Sequence, residues 1–125
     1  MALTGWEAKP FVVGPKDGTG TLYLMKTPRK LKLTKVGIAV DSDITASDSN
    51  YATFALTDGT TTYASASTTT SGTGDISANS LVELSISQAE VEEDTDLYLQ
   101  VTTTGTSPPT VSGLVVQLEF EYMND

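Results

Sequence analysis

Hydrophobic and polar residues alternate along most of this chain, and the three- to four-residue spacing of an amphipathic helix is hardly found. Alternation with a period of two is typical of a β-strand with one buried face and one wet face. The closing segment, 111–122, shows the pattern most clearly. One of its faces consists of Leu114, Val116, Leu118, Phe120 and Tyr122, and the other of Val115, Gln117, Glu119 and Glu121.

The pattern predicts seven or eight strands separated by turn residues, and therefore an all-β antiparallel sandwich or barrel. The optional eighth strand is a short one at 11–13. The other seven are expected at 21–25, 30–40, 51–57, 60–67, 81–87, 96–104 and 111–122.

The strand predicted at 30–40 contains a one-residue slip in its pattern. Leu31 and Leu33 occupy odd positions, whereas Val36 and the apolar residues after it occupy even ones. A shift by one residue turns all later side chains to the opposite face unless a bulge absorbs it. The slip therefore predicts a β-bulge or a bend at 34–35.

Polar segments separate the strands. Residues 41–50 form an aspartate-rich loop, and Asp58-Gly59 between two strand patterns predicts a hairpin. The Ser-, Thr- and Gly-rich stretch 67–80 is expected to be a long surface loop. The acidic segment 88–93 has the composition for one helical turn.

Residues 1–20 contain proline and glycine at a spacing that breaks regular elements. We expect an extended N-terminal arm over 1–20 and one sandwich domain over 21–125. A chain of 125 residues suits a single hydrophobic core.

The chain contains neither histidine nor cysteine. This excludes a thiol nucleophile, Ser-His-Asp catalysis and any metal site that depends on these ligands. Carboxylates, lysine and tyrosine remain, but the sequence shows no carboxylate pair at a catalytic separation. We therefore expect no enzymatic activity and no cofactor. An acidic enzyme that uses paired carboxylates is kept as a further hypothesis.

The net charge of -9 is unevenly distributed. All seven basic residues lie in the first 35 positions, which carry a net charge of +5, whereas the remaining ninety carry -14. Two interpretations remain open: the basic part docks on an acidic partner, or it folds back over the acidic body. The strongly anionic whole disfavours nucleic acid as a partner.

The aspartates Asp41, Asp43 and Asp48 have the oxygen chemistry of a calcium site but lack the glycine and the terminal glutamate of an EF-hand loop. A solvated turn is the favoured interpretation here and for the acidic cluster at 90–96, so no metal site is predicted. No apolar stretch is long enough to span a membrane, and no membrane partner is expected.

Taken together, the run 36–41, the segment 49–54, the strand at 81–87, the acidic turn before 97–101 and the closing 118–122 resemble small jelly-roll structural proteins of tailed bacteriophages. Within that group the chain is most similar to capsid decoration proteins, also called cement or auxiliary head proteins. The similarity covers about residues 21–122 and lies in the strand pattern, without a diagnostic motif.

The resemblance implies a jelly-roll-like sandwich on the outer surface of a virion, made in the host cytoplasm. It also implies a homo-oligomer, often a trimer, that staples neighbouring subunits of the major capsid protein and reaches them with an extended N-terminal arm. The alternative is a receptor- or carbohydrate-binding jelly-roll module of a phage fibre or spike that uses the loops 41–50 and 67–80. The scarcity of aromatic residues in those loops weakens it.

Six residues are the candidate contacts with the capsid or with a neighbouring subunit. Trp6 either packs back on the domain or anchors an interface. The lysines of strand 30–40 either protect a sheet edge or meet an acidic protein. The six are Trp6, Lys9, Phe11, Val12, Lys30 and Lys32.

Overall fold

The computed structural model describes residues 11–123, which form two antiparallel sheets packed as a sandwich. This confirms the all-β prediction. Three of the ten strands have only two residues, which is why the pattern indicated fewer. The strands are β1 (Phe11–Lys16), β2 (Gly20–Lys26), β3 (Leu31–Ala39), β4 (Tyr51–Thr57), β5 (Thr62–Ser67), β6 (Val82–Glu83), β7 (Ser85–Ile86), β8 (Glu90–Val91), β9 (Asp96–Thr104) and β10 (Leu114–Tyr122).

Sheet A has the order β1-β10-β3-β6, with β8 also paired to β3, and sheet B has the order β2-β9-β4-β5-β7. The pairs β1 with β10, β2 with β9, β3 with β6 and β4 with β5 are nested along the chain. Successive nested pairs are also hydrogen-bonded to each other within a sheet, because β10 pairs with β3 and β9 pairs with β4. This connectivity is jelly-roll-like.

Two local predictions at 81–93 are wrong. The single strand expected at 81–87 is divided into β6 and β7, which belong to different sheets, so the chain crosses the sandwich at the buried Leu84. The segment 88–93 contains β8, paired with β3, in place of a helical turn. The described residues contain no helix that could cross a membrane.

The part of the predicted arm that the structure describes is built into the sandwich. β1 pairs with β10 at one edge of sheet A, and β2 begins at Gly20 at one edge of sheet B. A bulge at Gly14-Pro15 interrupts the pairing of β1, and proline at a sheet edge costs no ladder hydrogen bond. Among the described residues the sandwich therefore begins at Phe11 and includes 11–20, which the sequence analysis assigns to the arm.

The bulge predicted in β3 is confirmed. Lys35 pairs with Glu119 and Leu33 with Phe120, so Thr34 is the extra residue of β3. It absorbs the slip of the pattern, and the apolar residues on both sides of it are buried on the same face.

The core lies between the sheets and consists mainly of aliphatic side chains of the long strands, and Phe54 is its largest fully buried side chain. The polar Thr27 is also buried. Its hydroxyl donates to the carbonyl of Glu92 at 2.7 Å and accepts from the amide of Thr95 at 2.9 Å, so it is satisfied. These bonds fasten the 92–95 turn to the end of β2.

The predicted hairpin joins β4 and β5 through residues 58–61. The Asp58 carboxylate accepts the amides of Thr60 and Thr61, which lowers the pKa of Asp58. Gly59 has a φ of +97°, which favours glycine. The hydroxyl of Tyr63 donates to the same carboxylate, and burial raises the pKa of Tyr63 to about 12.

The loops 41–50 and 67–80 are joined to each other. An isolated bridge pairs Ile44 with Ile76, and both side chains are almost completely buried. The amide of Ala46 donates to Asp75, and that of Ser47 to the carbonyl of Thr68. The expected surface loop 67–80 therefore contributes to the core as well as to the surface.

Candidate protein-binding face

The outer face of sheet A is assembled by cross-strand pairing of β1, β10, β3 and β6. One row of this face runs from Val12 through Gln117 and Gly37 to Glu83. Side chains opposite each other on neighbouring strands lie about 4.5–5.5 Å apart, so members of a row are in contact distance of their neighbours.

An apolar patch occupies this face. Val12 is 58% exposed and Leu81 is 42% exposed, and they are two of the three large hydrophobic side chains exposed among the described residues. Leu81 lies over Gly37, since a Cβ at that position would be only 2.9 Å from the Leu81 side chain. Val115 and Ala39 pair in the adjacent row. We define the apolar patch as Val12, Ala39, Leu81 and Val115.

Charged residues border the apolar patch further along the strands. Lys35 of β3 pairs with Glu119, and Lys32 pairs with Glu121 on one side and with Glu90 on the other. Directly opposed opposite charges favour this register. β3 is an internal strand, so its lysines do not protect a sheet edge.

The acidic segment 90–96 is an ionic partner of the basic segment. The ammonium of Lys30 lies 3.3 Å from a carboxylate oxygen of Glu90 and 3.5 Å from one of Glu92. The ammonium of Lys26 lies 3.7 Å from Asp94 and 3.8 Å from Asp96. Lys26 and Lys30 therefore fit the interpretation in which the basic first part of the chain folds back over the acidic remainder.

The ion pairs change the titration of Lys30. The hydrogen bond to Glu90, followed by the charges of Glu92 and Glu90, raises the pKa of this amine. Ion pairs of exposed groups contribute little to stability, about 0–1 kcal/mol in general. Their importance here is that Lys30 already has two anionic neighbours.

The six candidate contact residues have different surroundings. Val12 is exposed in the apolar patch, and Lys32 is exposed in its charged border. Phe11 is partly buried against the core, and Lys30 is ion-paired. Trp6 and Lys9, the remaining two, lie outside the described residues.

Two members of the patch, Val115 and Leu81, are not among the candidate contacts predicted from the sequence. In the sequence pattern Val115 belongs to the polar face of the last strand, where an apolar residue between polar alternates is itself a signal of an exposed patch. Leu81 begins the strand predicted at 81–87. Its position over Gly37 joins residues from distant parts of the chain, and no local signal reports it.

The aspartates of the 41–50 loop each bind a different protein group. Asp41 accepts from the hydroxyl of Ser112, and Asp43 accepts the amide of Ala78 at 2.7 Å. Asp48 accepts both the amide and the hydroxyl of Thr70. Within 11–123, no group of three or more potential ligands is arranged to hold a metal ion.

The outer face of sheet B has a different character, which we call the neutral face. Its outward positions, between the pair Tyr23 and Tyr98 at one end and the pair Tyr51 and Thr104 at the other, carry no charged side chain. The ion pair of Lys26 with Asp96 begins only beyond Tyr23. The members are Thr21, Tyr23, Tyr51, Thr53, Ala55, Thr57, Thr62, Ser65, Ser67, Ser85, Tyr98, Gln100, Thr102 and Thr104.

A shallow cavity of about 540 Å³ lies at one end of the neutral face, where the chain of residues 69–73 rises beside the sheet. Tyr51, Thr53 and Ser65 line it from the sheet, and Thr69 and Thr73 from the loop. All residues that line it are uncharged, and most bear a hydroxyl group.

Comparison with known proteins adds no family to this description. No family model matches the chain, and neither a curated protein nor a solved structure with significant similarity was found.

Proposed function

We propose that this chain is a structural virion protein that binds the outer surface of a bacteriophage head and stabilises it by bridging subunits of the major capsid protein. The observation that supports this most is the apolar patch. Val12 and Leu81 are exposed on the same sheet face, and apolar side chains rimmed by polar residues are a feature of protein interaction sites.

The border of the patch suits a protein partner. Interfaces combine an apolar centre with a polar rim that fixes register and orientation. Val12 and Leu81 supply the centre, and Lys32 and Lys35, with the glutamates opposite them, supply the rim. Lys32 contributes more to this contact than Lys30, because Lys30 has two carboxylates of its own chain within 4 Å.

The N-terminal segment joins this face. Residues 1–10, which include Trp6 and Lys9, directly precede Phe11 and Val12, and these two residues begin β1 at the edge of sheet A. Trp6 is the kind of side chain that dominates interface energetics. The proposal therefore combines these two residues with Val12 and Lys32 as one binding surface.

The mechanism is mass action. A protein that binds the assembled capsid but not its separated subunits raises the free energy of disassembly, and many copies on one particle add their effects. Trimeric association, as the resemblance implies, would multiply the attachments of each copy. No catalytic step is part of the proposal.

The test is co-sedimentation of the purified full chain with empty heads of the phage that encodes it. We expect saturable binding, and the double variant Val12→Asp, Leu81→Asp should weaken it by about tenfold or more, as loss of interface anchors does. The double variant Thr21→Asp, Thr102→Asp, which places the same two charges on exposed positions of the neutral face, is the matched control. Wild-type binding by the double variant would overturn the proposed surface, and no binding by the full chain would overturn the function.

The N-terminal contribution is tested by deletion of residues 1–10. This deletion leaves all ten strands intact, whereas deletion of 1–20 would remove β1. We expect the shortened chain to fold and to bind heads more weakly, and Trp6→Ala to reproduce most of the loss. Light scattering on the full chain measures the subunit count.

A further inference from the structure

The neutral face is unusual for this protein. A soluble surface ordinarily carries roughly a quarter to a third charged residues of both signs. The outer face of sheet A fits that description, with Lys32, Lys35, Glu90, Glu119 and Glu121. The neutral face has none, although the chain as a whole carries a net charge of -9.

This absence of charge narrows the chemistry of any ligand at the cavity. Phosphates and carboxylates are held by arginine, lysine or converging amides, and hard cations by carboxylates. The cavity lining between Tyr51 and Ser85 has no charged side chain, and the amides of Gly72 and Thr73 in its wall already donate to carbonyls of the same loop. An aliphatic ligand is also unsuited, since most of the lining side chains are polar.

The lining is suited to a neutral polyhydroxyl ligand. Each serine, threonine or tyrosine hydroxyl both donates and accepts, which is the capacity that a sugar hydroxyl requires. The hydroxyls of Thr53, Ser65 and Ser85 make no hydrogen bond to another side chain or backbone group within 11–123. Tyr51 is the only aromatic residue that lines the cavity within 11–123, and a tyrosine ring offers an apolar face for sugar stacking.

The loop that forms the wall is held in place. The amide and the hydroxyl of Thr73 both donate to the carbonyl of Ser67, at 2.8 and 2.7 Å. The amide of Gly74 donates to the carbonyl of Thr69, and Asp48 accepts two hydrogen bonds from Thr70. A wall fixed before binding lowers the entropy cost of ordering the site.

We propose that this cavity is a binding site for a neutral saccharide. The fold supplies the aromatic ring that the loops lack, because Tyr51 reaches the cavity from β4 rather than from a loop. The site is on the opposite outer face from the apolar patch, so one molecule can hold a capsid through sheet A and a saccharide through sheet B. This proposal is independent of the proposed function and goes beyond it.

The test is an amide chemical-shift titration of the full chain with five separate probes: maltose, cellobiose, lactose, α-1,2-mannobiose and N,N′-diacetylchitobiose. We expect at least one to give saturable shifts with a dissociation constant of about 1 mM or tighter. The shifts should be centred on Thr53, Ser65 and Thr73. Absence of saturation with all five overturns the proposal, as does saturation centred on another surface.

Three variants sharpen the result. Tyr51→Ala and the cavity-filling Ser65→Trp should each weaken the best probe by about tenfold or more, an effect of roughly 1.4 kcal/mol. Tyr23→Ala is the control, because it removes a tyrosine from the same face outside the cavity and should bind as the wild type does. Equal loss in Tyr23→Ala and Tyr51→Ala overturns the site.

A second copy of the chain is the competing occupant of the neutral face. If it occupied the face, the wild-type spectrum would change with protein concentration before any sugar is added, and Ser65→Trp would abolish that change. This result would assign the face to self-association and overturn the saccharide proposal. Neither outcome bears on capsid binding, which is measured with variants of sheet A.

Discussion

Asp48 accepts two hydrogen bonds from Thr70, one from its amide at 2.9 Å and one from its hydroxyl at 2.7 Å. The two residues belong to different loops, 41–50 and 67–80, and their contact ties these loops together beside the cavity. Both hydrogen bonds lower the pKa of Asp48, and the bond from the hydroxyl has the larger effect. Asp48, for which the sequence favours a solvated turn, therefore connects two loops.

The first prediction concerns acid stability. Because the pKa of Asp48 is lower in the folded chain than in the unfolded one, its contribution is present above the unfolded value near 3.9 and is lost as the pH falls through the folded value. Asp48→Asn should therefore reduce the change in melting temperature between neutral and acid pH. Asp43→Asn is the control, and an identical pH profile for Asp48→Asn and the wild type would contradict the prediction.

The second prediction concerns Thr27. Replacement by the isosteric valine removes a buried hydroxyl that donates to the carbonyl of Glu92 and accepts from the amide of Thr95. The Glu92 carbonyl keeps a hydrogen bond from the hydroxyl of Thr95, so the Thr95 amide is the group that loses its partner. Leaving a buried polar group unpaired costs about 1–3 kcal/mol, so denaturant unfolding of Thr27→Val should show a loss of this size. Thr102→Val, an exposed change of the same type, should stay within about 0.5 kcal/mol of the wild type.

The third prediction concerns the bulge in β3. Deletion of Thr34 removes the extra residue, and Leu31, Leu33, Val36 and Ile38 then alternate regularly and still share the buried face. We therefore expect the deletion variant to keep a cooperative unfolding transition, measured by circular dichroism. Thr34→Ser, which keeps the bulge, should unfold within about 0.5 kcal/mol of the wild type. Loss of the cooperative transition in the deletion variant would show that the bulge itself is required for the pairing of β3 with β10.

The fourth prediction concerns the loop 67–80. Ile76 is 1% exposed and pairs with Ile44, so it behaves as a core residue although it lies in a loop. Ile76→Ala should cost about 2–5 kcal/mol of unfolding free energy, as other large-to-small core changes do. The exposed neighbour Ser77 provides the control, since Ser77→Ala should have little effect. A small effect of Ile76→Ala would mean that the two loops fold independently of the core.

Much of the fold could be predicted because its signals are local. Alternation of side chains reports which face of a strand is buried, and the change of parity after Leu33 reports the bulge at Thr34 without knowledge of any partner strand. Asp58-Gly59 reports the hairpin for the same reason, since the turn geometry depends on these residues themselves. The prediction of a helical turn at 88–93 is wrong because it rested on composition alone. The segment instead contains β8, whose pairing with β3 depends on residues far away along the chain.

The candidate site could be predicted only in part. Val12 and Lys32 lie where a partner can reach them, whereas Lys30 is bound by Glu90 and Phe11 is turned toward the core. The pairing of Lys30 with Glu90 depends on β8 lying beside β3, and no pattern within either segment specifies that neighbour.

The sequence by itself determined the all-β fold class, the bulge, the hairpin turn and the exclusion of histidine and cysteine chemistry, because each depends on residue types and their immediate order. The tertiary structure alone decided which surfaces exist. Strand order brings Leu81 over Gly37 on the same face as Val12, and it aligns uncharged positions of β2, β9, β4, β5 and β7 into the neutral face. A face of a sheet consists of residues that are adjacent across strands and distant along the chain. Which residues share a face therefore depends on the strand order, and the free energy of packing the whole sandwich determines that order.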